Sequence, residues 1–189
     1  SAVYCRFFAL ILALCVASPA HAAYTWYEIP PAGTVYSTSK TWKSITSSSD
    51  GTKLYAVFDN GIPVYSGDSG FSWSWAYHYL DSTFPSAEWT SISTTSDGIY
   101  AFACVNSGSS NGNIFLGDRS NGYVSPMSWT RYATSFGNLG WYSITAAGGG
   151  SGYYAAVVYG GHIYTSFGGA TWTQTSSGSK SWTCITSSS

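Results

Sequence analysis

A tryptophan-led motif that recurs along the chain limits the fold more than any other feature of the sequence. In each copy a Trp is followed by two residues, the second of them small, and then by Ile. The copies lie roughly 40 to 50 residues apart, a spacing typical of structural repeats. The four copies are Trp42-Lys-Ser-Ile45, Trp89-Thr-Ser-Ile92, Trp141-Tyr-Ser-Ile144 and Trp182-Thr-Cys-Ile185.

Each complete unit predicts four short antiparallel strands. Apolar and β-branched runs are separated by turn sequences such as Asp50-Gly51 and Asn60-Gly61, which are strong hairpin signals. A meander this small cannot bury both faces alone, so copies of it must stack. Radial stacking gives an all-β fold, a β-propeller or propeller fragment of four-stranded antiparallel blades; a linear array is the alternative. The fourth strands are predicted to begin near Trp73, Trp129 and Trp172.

The composition agrees with an all-β chain and argues against one class of partner. Charged residues make up 8% and aromatic residues 18% of the sequence, and the formal net charge is -1. The chain therefore has no basic patch of the kind that releases counterions from nucleic acid. We predict no nucleic-acid partner.

Residues 1–22 have the features of a secretory signal peptide. Arg6 precedes the apolar run Phe7 to Val16, and Ala20-His21-Ala22 is a small-residue cleavage site. We predict cleavage after Ala22, a secreted protein and no mature transmembrane segment. The alternative is an N-terminal membrane anchor, for which the apolar run is too short.

The repeat domain is predicted to occupy residues 23–189, with units starting near Trp42, Trp89, Trp141 and Trp182. The sequence ends within the fourth unit, so we expect the domain to be truncated at its C-terminus. A complete propeller usually has four to eight blades.

The mature chain keeps two cysteines, Cys104 and Cys184. Aligning the repeats puts each where other units carry a small or apolar residue. We predict two buried, inert thiols, with a disulfide as the alternative. No Cys and His spacing matches a zinc site, so neither a metal nor a cofactor is predicted.

Ser66-Gly-Asp68-Ser-Gly70-Phe-Ser-Trp73 resembles an Asp-box, the hairpin of the BNR repeats found in sialidase-like propellers. Ser72 stands where Thr is usual, and the third unit, ending at Trp172, carries Phe167 in the Asp position. The resemblance implies a secreted, non-catalytic BNR repeat β-propeller. It gives a structural role to four residues, Ser66, Asp68, Gly70 and Trp73. The chain also resembles Ycf48-like photosystem assembly factors, although nothing in it marks a thylakoid route.

The residues argue against catalysis within this chain. A sialidase-like site needs three Arg to clamp the substrate carboxylate, and the mature chain has only Arg119 and Arg131. Asp50, Asp59 and Asp97 lie in turn sequences, where turn formation is the expected role. We predict a protein that is not an enzyme. The alternative is a fragment of a sialidase-like glycoside hydrolase whose catalytic residues lie outside this chain.

An aromatic segment after Trp73 supplies the candidate binding residues Trp75, Tyr77 and Tyr79. Exposed aromatic side chains stack on sugars or anchor protein partners, whereas buried ones fill a blade. We favour the packed arrangement for these three. The function predicted is extracellular interaction or structure, with a glycan or a protein as the candidate ligand.

Overall fold

The computed structural model describes residues 40–76, 87–106, 112–120, 127–132, 134–149 and 152–188, and these are nearly all in strands and turns. They form three antiparallel sheets, one for each complete unit. The prediction of four-stranded antiparallel blades is confirmed. The first sheet contains β1 (Trp42–Ser47), β2 (Leu54–Phe58), β3 (Val64–Ser66) and β4 (Ser74–Trp75).

The second and third sheets repeat this order. The second contains β5 (Trp89–Thr94), β6 (Tyr100–Val105), β7 (Ile114–Asp118) and β8 (Ser128–Tyr132). After a 3-10 turn at Thr134–Phe136, the third contains β9 (Trp141–Ala147), β10 (Tyr153–Gly161), β11 (Ile163–Phe167) and β12 (Thr171–Gln174). A short strand β13 (Lys180–Ser181) pairs with the end of β10.

The opening Trp of the second and third units forms the core between successive sheets. Trp89 packs in a buried cluster shared by the first and second sheets, and Trp141 in one shared by the second and third. Both side chains are 0% exposed. Each indole N–H donates to a glycine carbonyl of the preceding unit, at 2.7 Å to Gly61 and 2.8 Å to Gly112. The motif therefore opens a strand and seals it against the unit before it.

A serine of each opening motif adds a hydrogen bond between neighbouring units. The backbone N–H of the next unit's Ile donates to the Oγ of that serine. The three bonds are Ile92 to Ser44 (3.2 Å), Ile144 to Ser91 (3.3 Å) and Ile185 to Ser143 (3.3 Å). The fixed Ser-Ile pair of the motif thus stabilises stacking between units.

The first unit has the same motif, but its Trp and Ile side chains are exposed to solvent. Trp42 is 50% and Ile45 65% exposed, whereas the equivalent Trp89 and Ile92 are 0% and 3% exposed. The difference follows from position, because the later residues are covered by the preceding unit.

The prediction that both cysteines are buried is wrong for Cys184. Cys104 is buried as predicted, but Cys184 is exposed, and both thiols are free. The equivalent Ser143 is covered by the segment that contains Ile185, and no described residues cover Cys184 in that way.

The turn role predicted for Asp50 and Asp97 is confirmed. Asp50 Oδ1 accepts hydrogen bonds from Ser48 Oγ at 2.5 Å and from the Thr52 N–H at 3.0 Å. These bonds, that from Ser48 foremost, lower the pKa of Asp50 to about 2. Asp97 Oδ1 accepts from the Ile99 N–H at 2.9 Å.

Among the described residues, no helix is long and apolar enough to cross a bilayer.

Candidate functional site

The hairpin from Ser66 to Trp73 is held by hydrogen bonds within its own turn. Ser66 Oγ donates to Asp68 Oδ1 at 2.8 Å and accepts the Gly70 N–H at 2.8 Å. Asp68 also accepts the N–H of Ser72 at 2.8 Å and its hydroxyl at 2.5 Å. Hydrogen bonds from Ser72, then Ser66, lower the pKa of the Asp68 carboxyl.

The backbone and the tryptophan complete this hairpin. Gly70 has φ of 91°, a left-handed conformation that Gly adopts without steric cost. Trp73 Nε1–H donates to the Gly70 carbonyl at 3.0 Å, and its ring packs against the buried cluster of Ala56, Phe58 and Val64. The carboxylate and the indole therefore act locally, on the turn and on the first blade.

The third unit forms a related but shorter hairpin. Trp172 Nε1–H donates to the Gly169 carbonyl at 3.0 Å, as Trp73 does to Gly70. Ser66 pairs with Leu54, and Ser166 pairs with the equivalent Tyr154. The strands thus align Ser166 with Ser66 and leave Phe167 outside the Asp position, which corrects the alignment made from the sequence.

The loss of the acidic residue has a visible consequence in the third unit. Ser166 Oγ is buried and has no hydrogen-bond partner in the described part of the chain. In the first unit, the equivalent Ser66 Oγ bonds to both Asp68 and Gly70. Phe167 is exposed, with its ring 5.1 Å from that of Tyr153.

The candidate binding aromatics are only partly described. Trp75 is partly buried against the same cluster as Trp73, with its ring 6.1 Å from that of Phe58. Tyr77 and Tyr79 lie outside the described residues. The role of the three as a ligand platform stays a prediction.

A different site emerges from a strand irregularity repeated in all three blades. The register of each first strand shifts directly after its Trp, which leaves one bulged residue without a partner in the ladder. A β-bulge redirects the side chain that it carries and is frequent beside binding sites. The bulged residues are Lys43, Thr90 and Tyr142, and all three line one groove.

A second repeated contact builds the wall of this groove. A residue near the end of each second strand, or directly after it, donates its backbone N–H to the carbonyl that directly precedes the opening Trp. The bonds are Asp59 to Thr41 (3.0 Å), Asn106 to Glu88 (3.1 Å) and Tyr159 to Gly140 (3.1 Å). The backbone arrangement is constant, while the side chains that it presents differ in every blade.

We call this site the inner-strand groove. It has a volume of about 600 Å³ and is lined by Lys43, Asp59, Asn60, Glu88, Trp89, Thr90, Asn106 and Tyr142. Lys43 Nζ forms an ion pair with Asp59 Oδ2 at 2.9 Å. Tyr142 is 45% exposed, and its ring lies 5.6 Å from that of Tyr159, a residue outside the groove lining. The site therefore combines charged groups, side-chain amides and accessible aromatic faces.

The sequence predictions missed this groove. Asp59 lies in a turn, as predicted, and the structure also places it on one groove with Glu88. Comparing the units would have found these positions, since they are the variable residues directly beside the constant Trp.

In the described ranges, no group of three His, Cys, Asp or Glu side chains is placed to hold a metal ion.

The three stacked four-stranded sheets define the class as a β-propeller or a fragment of one. Neither a protein family nor a curated protein matches the sequence. The structure is similar to YCF48 from Cyanidioschyzon merolae, with a TM-score of 0.58, 17% identity, and coverage of 82% of this chain and 44% of that one.

Two further structures are similar. One is YCF48 bound to D1 peptide, with a TM-score of 0.52, 18% identity, and coverage of 73% of this chain and 42% of that one. The other is an ancestral GH74 enzyme, with a TM-score of 0.48, 14% identity, and coverage of 66% of this chain and 17% of that one. At such identities the likeness concerns the fold alone. This chain spans less than half the length of the YCF48 chains that it matches.

Proposed function

We propose that this protein is a secreted, non-catalytic propeller-type repeat protein that binds a polypeptide segment of a partner protein in the inner-strand groove. The observation that carries the proposal is the bulge repeated in all three blades, with Lys43, Thr90 and Tyr142 on one groove. A constant backbone that presents variable side chains suits recognition, because the side chains can differ without a change in the fold.

The chemistry of the groove supports a polypeptide ligand. Asn60 carries both a donor and an acceptor for a peptide backbone. Tyr142 adds an exposed ring of the type that anchors protein interfaces. A YCF48 structure, which shares this fold at 18% identity, is described as bound to D1 peptide; that similarity makes a protein partner reasonable without naming one.

Display selection tests this proposal. A random dodecapeptide phage library is panned against the protein that begins at Ala23, and enriched peptides are measured by fluorescence anisotropy. We expect Tyr142→Ala to weaken binding by about tenfold or more, as loss of a central aromatic contact does. Phe71→Ala is the matched control, because Phe71 is 74% exposed and lies in the Ser66–Trp73 hairpin. Equal binding by Tyr142→Ala and the parent, or failure to enrich any peptide, would contradict a peptide-binding groove.

Secretion and Asp-box membership are part of the same proposal. Arg6, the apolar run Phe7 to Val16 and Ala20-His21-Ala22 support export, and the hydrogen bonds of Asp68 support the Asp-box relationship. Exported protein is expected to begin at Ala23. N-terminal sequencing of protein from the medium checks this, and a sequence that retains Arg6 would exclude cleavage.

A second candidate is a glycan-processing function, favoured by one observation. Asp59 and Glu88 line the same groove, and glycosidases act with two carboxylates across the scissile bond. The ion pair with Lys43 occupies one of them, which favours binding over catalysis. Reducing-sugar release from β-glucans or sialylated glycans that is lost in Glu88→Gln would replace the proposed function by this one.

A further inference from the structure

We infer that the third blade carries a second binding site, at which Tyr153 and Phe167 stack on the sugar rings of a neutral polysaccharide. The two residues lie in β10 and β11, outside the lining of the inner-strand groove. The site is therefore independent of the proposed function.

Tyr153 and Phe167 form an exposed aromatic pair in the middle of a sheet face. They are direct partners across β10 and β11, and their ring centroids lie 5.1 Å apart at an interplanar angle of 54°. The two side chains are 71% and 64% exposed. Two large rings held side by side at the surface leave apolar area in water that a ligand can cover.

Stacking of one blade on the next does not account for this pair. The strand registers place Lys53 and Gly67 of the first blade, and Tyr100 and Asp118 of the second, at the equivalent positions. None of these four residues is buried, although another blade is stacked on each of the two sheets. A blade stacked on the third sheet would therefore leave both positions in contact with solvent.

The C-terminal segment covers a different part of the same sheet. The Ile185 N–H donates to Ser143 Oγ at 3.3 Å, and Ser187 Oγ lies 2.8 Å from Thr145 Oγ1. Both contacts are made to β9, which pairs with β10 on the edge away from β11. The aromatic pair stays accessible beside this segment.

The surroundings of the pair favour a neutral ligand that is rich in hydroxyl groups. Phe167 pairs with Thr171, and the next pair on the same face is Thr165 with Thr173. All three threonines are exposed, and each hydroxyl can donate and accept a hydrogen bond. The strands β9 to β12 contain no charged residue, so no charge within them attracts or offsets a charged ligand.

A β-linked glucan chain has both of the features that this face can recognise. Its hydroxyl groups are equatorial, so each sugar ring presents an apolar C–H face that can pack on an aromatic side chain and a rim of hydroxyls. Thr165 lies two residues from Phe167, about 7 Å along the strand, where a sugar stacked on the ring can reach its hydroxyl. A stable protein interface needs about 800 Å² from each partner, and two aromatic rings supply less than half of this area.

Affinity electrophoresis tests the site, with the protein that begins at Ala23 run in native gels that contain hydroxyethylcellulose. We expect the polymer to retard the parent protein, and Tyr153→Ala or Phe167→Ala to weaken the affinity by about tenfold. Phe71→Ala is the matched control, because Phe71 is 74% exposed but lies in the hairpin of the first blade. This variant should be retarded like the parent.

Conservative variants separate the two kinds of contact. Tyr153→Phe keeps the ring and should keep the affinity. Thr165→Val keeps the shape of the side chain but removes its hydroxyl, and is expected to weaken binding by about threefold. All of these side chains are exposed, so the variants should keep the parent's melting temperature.

Two results would overturn the polysaccharide site. One is the absence of retardation by hydroxyethylcellulose, and the other is equal retardation of the parent and the Tyr153→Ala, Phe167→Ala double variant. A parent dimer in sedimentation velocity that the double variant loses would assign the pair to a second copy of the chain instead.

The groove and the third blade can be tested separately. Tyr142→Ala should leave retardation by hydroxyethylcellulose unchanged, and Phe167→Ala should leave peptide binding unchanged. Failure to bind any peptide would therefore overturn the proposed function and leave the polysaccharide site standing. Loss of both activities in Phe167→Ala would contradict two separate sites.

Discussion

Replacing Trp89 by Ala is expected to lower the free energy of unfolding by about 3 to 5 kcal/mol. The side chain is fully buried in the cluster between the first and second sheets. Its removal leaves a cavity and also deprives the Gly61 carbonyl of its indole donor, now at 2.7 Å. A buried acceptor without a partner adds to the cost.

Trp42→Ala is the matched control, because Trp42 opens the first unit in the same way. Half of its surface is exposed, and its ring contacts Phe58 edge-on at a centroid distance of 5.2 Å. We expect a loss of about 1 to 2 kcal/mol, from the smaller area returned to water. Urea unfolding followed by circular dichroism measures both variants. Equal losses would mean that Trp89 does not seal two units together.

The fold could be predicted because its determinants are local and repeated. Glycines and Asp or Asn in the turns, and runs of apolar and β-branched residues, specify each hairpin without knowledge of the rest of the chain. The second strands Leu54–Phe58 and Tyr100–Val105 are apolar runs of this kind. The spacing of Trp42, Trp89 and Trp141 then required copies of the blade to stack.

The inner-strand groove could not be predicted in the same way, because it depends on register and on contacts between units. The amino-acid sequence around Thr90 does not show that this residue is bulged. The strand pairing shows it, because Trp89 pairs with Val105 and Ser91 with Cys104, which leaves Thr90 without a partner in the ladder. Asp59 and Glu88 belong to different units, and they share a groove only because the two sheets stack.

The third hairpin shows the limit of alignment by residue type. Counting back from Trp172 puts Phe167 in the acidic position, whereas the strand pairs put Ser166 opposite Tyr154 and shorten the turn. Backbone pairing depends on ladder hydrogen bonds and on the faces that must be buried. A hairpin can therefore keep its tryptophan bond to Gly169 while its sequence loses the carboxylate.

The two cysteines are expected to react with a thiol reagent at very different rates, because one is exposed and the other is buried. Cys184 is exposed and should react with iodoacetamide in the native protein, whereas Cys104 should remain unmodified until the protein unfolds. Burial raises the pKa of the Cys104 thiol to about 12, and the thiolate is the reactive form. At pH 8 we expect native Cys104 to react at least about a hundredfold more slowly than Cys184.

Differential alkylation tests this expectation, with peptide mass spectrometry reading each cysteine separately. Guanidinium should abolish the difference, because both thiols are then exposed to the same solvent. Cys104→Val is the matched control: the equivalent positions of the other units carry Val57 and Val157, so this variant should stay folded and keep the fast reaction at Cys184. Rapid modification of Cys104 in the folded parent would show that the second blade opens at its centre, because Cys104 lies in β6 with its sulfur 3.2 Å from Thr90 Oγ1. The bulge that presents Thr90 to the inner-strand groove would then open with it.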